Sequence, residues 1–92
     1  MKGKALPEDD KLKKNIDGSA TLVLYNDEVN TFEHVIKSLV EVCGHDPVQA
    51  EQCAMIVHFR GSCEVKIGMP GLLLRMSKSL NLKGLNSRVC SD

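Results

Sequence analysis

The feature that most constrains the fold is a change of hydrophobic period within residues 21–43. Residues 21–25 read Thr-Leu-Val-Leu-Tyr, a β-rich run whose two leucines face one side of a strand. After a few polar or turn-forming positions, apolar residues recur at the three- and four-residue spacing of an amphipathic helix: Phe32, Val35, Ile36, Leu39, Val40 and Cys43. The chain therefore passes from a strand to a helix through a polar loop. Loops of this kind often hold binding residues on a rigid scaffold.

The polar loop has two interpretations that the residues by themselves leave open. Asn26, Asp27 and Glu28 offer hydrogen-bond acceptors at the point where the strand stops. The structural interpretation is a helix start, in which Asn30 is the N-cap and Glu33 completes a capping box. The functional interpretation is a polar binding cluster beside an apolar helix face.

The next segment contains the signals of two closely joined helices. Gly44 is suited to end the first helix in a left-handed conformation, and Gly61 to end the second. Asp46 and Gln49 form a capping box for the second helix, with Pro47 in its first turn. Its inner stripe is predicted to be Ala50, Cys53, Ala54 and Val57. Helices joined by so short a connection are expected to pack as a hairpin.

The remainder of the chain supplies further strands and a third helix. Residues 62–67 alternate in polarity, which predicts a strand with Cys63, Val65 and Ile67 on its buried face. A third helix is expected from Pro70 to near Gly84, before a last strand within residues 85–90. Its inner face is predicted to be Leu73, Met76, Ser77 and Leu80. The order β-α-α-β-α-β predicts a two-layer α/β (α+β) domain, a three-stranded antiparallel sheet covered by three helices.

Length and charge limit the class of protein. Ninety-two residues make one small domain, and a hydrophobic fraction of 42% supports a folded chain. A formal net charge of +0 gives no reason to expect a nucleic acid or an anionic membrane as partner. No apolar run approaches the roughly 18 residues of a membrane span.

We expect residues 1–17 to be a flexible tail and residues 18–92 the core domain. Because the N-terminus is charged and lacks an apolar signal segment, a cytoplasmic protein is expected.

Catalytic and metal chemistry find little support in the sequence. The four cysteines contain no C-x-x-C spacing, so we expect free thiols packed as small hydrophobes, with no zinc site. His34 and His45 with Cys43 match no compact set of metal ligands. A thiol hydrolase is an alternative, but phosphate-binding and nucleophile-elbow motifs are missing. We therefore expect no enzyme activity, no cofactor and no metal.

A histidine near the end of the second helix suggests a binding chemistry. His58 is expected to approach Asn26 and Asp27 across the helical hairpin, although a structural or exposed histidine is the alternative. A carbonyl, a carboxylate and a neutral imidazole together can accept the three N–H groups of a primary ammonium. An apolar side chain attached to that ammonium would meet Phe32, Val35, Ala54 and Val57. These residues describe a free peptide N-terminus with an apolar first residue as the ligand.

Residues 22–61, LVLYNDEVNTFEHVIKSLVEVCGHDPVQAEQCAMIVHFRG, resemble the core of the ClpS family. Its members are adaptors that deliver N-degron substrates to a Clp AAA+ unfoldase. The specific elements are the Asn-Asp-acidic turn at residues 26–28 and the sequence Val57-His58-Phe59-x-Gly61 that ends the second helix. At this separation the two elements together are a much stronger signal than an Asn-Asp dipeptide.

The resemblance implies a compact α/β core behind an N-terminal extension. It implies docking on the N-terminal domain of a ClpA- or ClpC-type unfoldase, and binding of N-degrons that begin with Leu, Phe, Tyr or Trp. The positions implied to hold the substrate's α-amino group are Asn26, Asp27 and His58. The positions implied to line the pocket for the first side chain are Asn30, Phe32, Val35, Ala54 and Val57.

The chain also departs from the familiar pattern of the family. Many members have a second Asp, a Thr and two Met at the positions occupied here by Glu28, Asn30, Phe32 and Ala54. These changes leave recognition of an amino group intact and alter the expected shape of the pocket. The last pocket wall, near Arg88 or Val89, is not assigned. The alternative function is a ClpS-like module that docks on an unfoldase or another partner without reading N-termini.

Overall fold

The regular structure follows the predicted order of strands and helices. The computed structural model describes residues 18–91. Its elements are β1 (Ala20–Tyr25), α1 (Phe32–Cys43), α2 (Pro47–Arg60), β2 (Ser62–Gly68), α3 (Pro70–Leu82) and β3 (Asn86–Cys90). The β-α-α-β-α-β prediction is confirmed. The predicted tail, residues 1–17, lies outside the described residues.

The sheet has β1 at its centre, in the order β2-β1-β3. Both neighbours run antiparallel to β1, and Tyr25 pairs with Ser62 on one side and with Asn86 on the other. The C-terminal end of β1 therefore lies between the N-terminal ends of β2 and β3. Three connections meet at this end of the sheet: the β1–α1 loop, the α2–β2 turn and the α3–β3 turn.

The core lies between the helices and the face of the sheet that carries Leu22 and Leu24. Both leucines are buried, and each helix contributes buried partners: Leu39 from α1, Ala50 and Val57 from α2, and Leu73 and Leu80 from α3. Burying a leucine side chain stabilises a fold by roughly 1.5–3 kcal/mol, so these residues are the main source of stability. In the part of the chain that the structure describes, no helix has the length and apolarity to cross a membrane.

The start of α1 differs from the prediction, whereas the start of α2 agrees with it. The assignment of Asn30 as the N-cap is wrong: Thr31 is the N-cap, and its side chain accepts a hydrogen bond of 3.1 Å from the His34 N–H. The Asn30 amide instead donates to the Asp27 carboxylate and to the Gly84 carbonyl. At α2, Asp46 accepts a bond of 2.9 Å from the Gln49 N–H, and the predicted capping box is complete.

Glycines end α1 and α2, as predicted. Gly44 and Gly61 have φ values of 74° and 96°, in the left-handed region that favours residues without a Cβ. Gly61 also joins the end of α2 to the sheet, because its carbonyl accepts a bond of 2.9 Å from the Asn26 N–H. That bond extends the β1–β2 pairing one step beyond Tyr25.

A bulge in β2 changes which residues face the core. The pairing register shifts between Leu22 and Val23 of β1, which leaves Val65 as an extra residue in β2. Beyond a bulge, alternating side chains exchange faces. Cys63 and Val65 are therefore buried as predicted, but the prediction for Ile67 is wrong: its side chain is 49% exposed.

Candidate functional site

A pocket opens at the end of the sheet where the three connections meet. Its lining includes all eight predicted site residues: Asn26, Asp27, Asn30, Phe32, Val35, Ala54, Val57 and His58. Three residues outside that prediction, Leu24, Tyr25 and Leu85, complete the lining, and the cavity volume is about 50 Å³. The structure thus brings the predicted residues together. Their individual roles in binding stay predictions.

The β1–β2 pairing accounts for the approach of His58 to the β1–α1 loop. Tyr25 pairs with Ser62, and Asn26 is bonded to Gly61, three residues after His58. An antiparallel pair places the end of one strand beside the start of the next, and α2 leads directly into β2. The approach that we predicted across the helical hairpin is therefore held mainly by the sheet.

Apolar residues form the inner part of the pocket. Leu24 and Val57 are buried, and Ala54 is only 3% exposed. Leu85, just before β3, provides the last wall of the pocket, in place of the neighbouring Arg88 or Val89. A signal for it was present, because a hydrophobic residue directly after a helix-ending glycine commonly packs back on the last turn of the helix.

The Asp27 carboxylate is bonded within its own loop. Its Oδ1 accepts from the Val29 N–H at 2.9 Å and from the Asn30 N–H at 3.0 Å. Its Oδ2 accepts from the Asn30 side-chain amide at 2.8 Å. Partial burial acts to raise the pKa of Asp27. The backbone N–H groups of Asn30 and Val29, the Asn30 amide and the nearby His34 outweigh it, so the pKa lies below its ordinary value of 3.8. Asp27 is therefore ionised at neutral pH and also shapes the loop.

Asn30 connects the loop to the third connection of the site. Besides Asp27, its amide donates to the Gly84 carbonyl at 2.9 Å, in the turn between α3 and β3. This bridge explains why Asn30 is not the cap of α1, and it lies next to Leu85. Sequence reasoning placed Asn30 in the pocket but missed this bond, because its partner is 54 residues away.

Two phenylalanine rings contact the imidazole of His58, which lines the pocket. His58 is exposed, and its ring meets Phe32 edge-on, with ring centroids 5.8 Å apart and an interplanar angle of 84°. Phe59 also meets the imidazole edge-on, at a centroid distance of 4.8 Å. Phe32 is 40% exposed and stands in the first turn of α1. Such edge-to-face contacts orient the imidazole without using its ring nitrogens as hydrogen-bonding groups.

The cysteines and the other histidines form no comparable site. All four thiols are free, and none lines the pocket. Burial raises the pKa of Cys43 to about 11 and that of Cys63 to about 12, which opposes formation of a nucleophilic thiolate. His34 donates through Nε2 to the Lys83 carbonyl at 2.7 Å. Within residues 18–91, no three His, Cys, Asp or Glu side chains are grouped to hold a metal.

A thiol-labelling experiment tests these assignments. At about pH 8, roughly one in a thousand molecules of a thiol with a pKa of 11 is ionised, so the folded protein should modify slowly at Cys43 and Cys63. Cys90 is exposed and should modify quickly. Peptide mapping by mass spectrometry after timed alkylation measures each site, with urea-unfolded protein as the control. Labelling of Cys43 as fast as that of Cys90 in the folded protein would contradict the assignment.

Comparisons with known proteins agree with the fold. A search of curated proteins finds no match to this chain. Among solved structures, Agrobacterium tumefaciens ClpS2 bound to L-phenylalaninamide superposes with a TM-score of 0.76 at 19% identity. The match covers 80% of this chain and 96% of that one. At this identity the similarity establishes the fold.

A family comparison gives the assignment. The model of the ATP-dependent Clp protease adaptor protein ClpS matches residues 17–82, from just before β1 to the end of α3. That range includes the polar loop, both helices that line the pocket and all eight predicted site residues. The chain therefore belongs to the ClpS family of Clp protease adaptors.

Proposed function

We propose that this protein binds substrates through a free N-terminal hydrophobic residue and delivers them to a Clp AAA+ unfoldase for degradation. The observation that carries the proposal is the composition of the pocket, in which acceptors at the rim adjoin an apolar interior. Binding and docking need no covalent chemistry, and we propose no enzymatic step. The proposed docking partner is the N-terminal domain of a ClpA- or ClpC-type unfoldase.

The rim offers acceptors for the substrate's ammonium group. Asp27 Oδ1 already accepts three N–H groups, two from the backbone and one from the Asn30 amide, whereas among residues 18–91 Oδ2 accepts only from that amide. Oδ2 is therefore the oxygen with capacity for the ligand. The side-chain carbonyl of Asn26 and a neutral ring nitrogen of His58 supply the other two acceptors in this proposal. Charge-assisted hydrogen bonds of this type are stronger than neutral ones.

The interior limits the first side chain of the substrate. A cavity of about 50 Å³ is well below the ~150 Å³ of an apolar cavity that holds benzene. Among these first residues, a leucine side chain requires the smallest change in the shape of the pocket. A Phe, Tyr or Trp side chain requires the partly exposed Phe32 ring to rotate outward. Val and Ile carry a branch at Cβ, close to the pinned ammonium, and cannot rotate it away. We therefore propose Leu, Phe, Tyr and Trp as accepted first residues.

Peptide titration with and without N-terminal acetylation tests the proposal. Peptides that begin with Leu or Phe should bind, and their acetylated forms should bind about 10- to 100-fold more weakly. Acetylation removes the charge and leaves rim acceptors, including a carboxylate, without partners. Fluorescence anisotropy with a dye at the peptide C-terminus measures both forms. A Ser-initiated peptide serves as the matched control for the side-chain contribution.

The outcomes distinguish an adaptor that binds N-termini from a ClpS-like module that docks on a partner without binding N-termini. Equal affinity for free and acetylated peptides, or no binding of either, would reject recognition of N-termini. Adding a purified ClpA- or ClpC-type unfoldase with its protease then tests delivery. A reporter with N-terminal Leu should be degraded faster in the presence of this protein, whereas the same reporter with N-terminal Ser should not.

A further inference from the structure

The position of Leu85 depends on the turn that ends α3. The Leu85 N–H donates to the Leu80 carbonyl at 3.1 Å, and the Gly84 N–H to the Asn81 carbonyl at 3.0 Å. Gly84 has a φ of 92°. This is the Schellman arrangement, in which the residue after the left-handed glycine packs on the last turn of the helix. Leu80 and Leu85 are both buried, in agreement with that packing.

Two consecutive carbonyls of this turn accept hydrogen bonds from the α1 side of the molecule. His34 Nε2 donates to the Lys83 carbonyl at 2.7 Å, and the Asn30 amide donates to the Gly84 carbonyl at 2.9 Å. A third contact joins Lys83 Nζ to Glu41 Oε1 at 3.0 Å, and all three contacts are exposed to solvent. Exposed ion pairs contribute little, and of the three contacts the two carbonyl ones hold the backbone of the turn. They connect the turn before Leu85 to α1 and to the loop that precedes it.

We propose that His34, which does not line the pocket, is a positioning residue that sets the width of the pocket by holding Leu85 at a fixed distance from α1. The inference rests on the proposed function and adds a determinant of its selectivity. On the far side of Leu85, Ser87 is held by its N–H bond to Asn81 Oδ1 at 2.9 Å. Upstream of Leu85, the turn is held to α3 by its own backbone bonds and to the α1 side by the His34 and Asn30 bonds. Since Asn30 also bonds Asp27 and lines the pocket, His34 is the one of the two whose substitution leaves the pocket lining unchanged.

The width of a pocket affects small and large side chains differently. A leucine side chain depends on contact with both walls, so a wall that moves away loses part of that contact. A tryptophan side chain already requires the pocket to open, so movement of this wall should change its binding affinity little. Loss of the His34 bond should therefore reduce discrimination between first residues rather than weaken all binding equally.

Two variants of His34 test the proposal. His34→Phe keeps an aromatic ring and removes the N–H donor, while His34→Gln keeps an amide donor that can reach the carbonyl. We expect His34→Phe to weaken binding of a Leu-initiated peptide about threefold to tenfold, the loss typical of one hydrogen bond. Binding of the Trp-initiated peptide should change less than about twofold. His34→Gln should restore most of the preference for the Leu-initiated over the Trp-initiated peptide. If the His34 ring acted only through packing, replacing it by an amide would not restore that preference.

Glu41→Gln is the matched control, because it removes only the charge of the exposed contact to the same turn. Its peptide affinities should equal those of the wild type.

Amide hydrogen exchange measured by NMR gives a readout independent of peptides. Exchange at Leu85 should be faster in His34→Phe and normal in His34→Gln. Unchanged exchange and an unchanged Leu-to-Trp ratio in His34→Phe would overturn the inference. A wild-type protein that binds neither peptide would overturn the proposed function and the selectivity that rests on it. Faster exchange in that case would still support His34 as the residue that positions Leu85.

Discussion

Replacing Asp27 by alanine is expected to weaken binding of a Leu- or Phe-initiated peptide by about tenfold to a hundredfold. The substitution removes an ionised acceptor and leaves an ammonium donor without a partner in a partly desolvated site, which costs roughly 1–3 kcal/mol. It also removes the acceptor of the Val29 and Asn30 N–H groups in the loop, so the domain should lose about 1 kcal/mol of stability. Titration and urea denaturation measure the two effects separately.

His58→Ala is the matched comparison, because His58 lies on the same rim and its side chain contacts the Phe32 and Phe59 rings without a hydrogen bond to any residue in the described range 18–91. It should weaken peptide binding and leave the stability within about 0.5 kcal/mol of the wild type. Near-wild-type affinity in both variants, with normal folding by circular dichroism, would show that the rim does not bind the amino group.

The pH dependence of stability provides a check on Asp27. Because the pKa of Asp27 is lower in the folded protein, its carboxylate stabilises the fold above its ordinary pKa of 3.8. This stabilisation is lost as the pH falls through the lowered value. The stability difference between wild type and Asp27→Asn should therefore be constant from about pH 5 to 8 and shrink below pH 3.8. If the stability difference between the two proteins disappears between pH 7 and 5, a group other than Asp27 is responsible for it.

Ala54→Met is expected to produce the second large effect, a loss of at least tenfold in affinity that is greatest for a Trp-initiated peptide. Ala54 is 3% exposed and lines a cavity of only about 50 Å³, so a longer side chain from α2 must occupy the space of the ligand. A fully buried side chain contributes roughly 1.5–3 kcal/mol, which converts to tenfold or more when it is excluded. Peptides that differ only at the first residue measure the loss.

Gln52→Met controls for a methionine in the same helix, because Gln52 is exposed on α2 and outside the pocket lining. Its affinities should match the wild type for every peptide. The same peptide set includes Ile, which should bind the wild-type protein about tenfold more weakly than Leu because of its branch at Cβ. Unchanged binding of Trp in Ala54→Met, or Ile binding as tightly as Leu, would contradict this description of the pocket.

Local sequence determined the elements of this protein and the chemical types at its site. Period-two and helical spacing depend on neighbours within a few residues, as do the capping box at Asp46 and the glycine that ends α1. The order of strands and helices, that capping box and that glycine therefore agree with the structure. The resemblance to ClpS assigned eight pocket residues, and all eight line one cavity. Their identity could be proposed from sequence because they lie in two short segments around the β1–α1 loop and α2.

Contacts between distant residues were decided by the tertiary structure alone. The bulge at Val65 depends on how two strands pair, so alternation within β2 could not predict the exposure of Ile67. Asn30 has the residue type of an N-cap, but its side-chain amide donates to the Gly84 carbonyl, and Thr31 is the N-cap instead. The wall at Leu85 and its support by His34 arise in the same way, because antiparallel pairing brings the ends of three connections together. Sequence spacing reports local geometry, and hydrogen bonds that span about 50 residues appear only when the chain has folded.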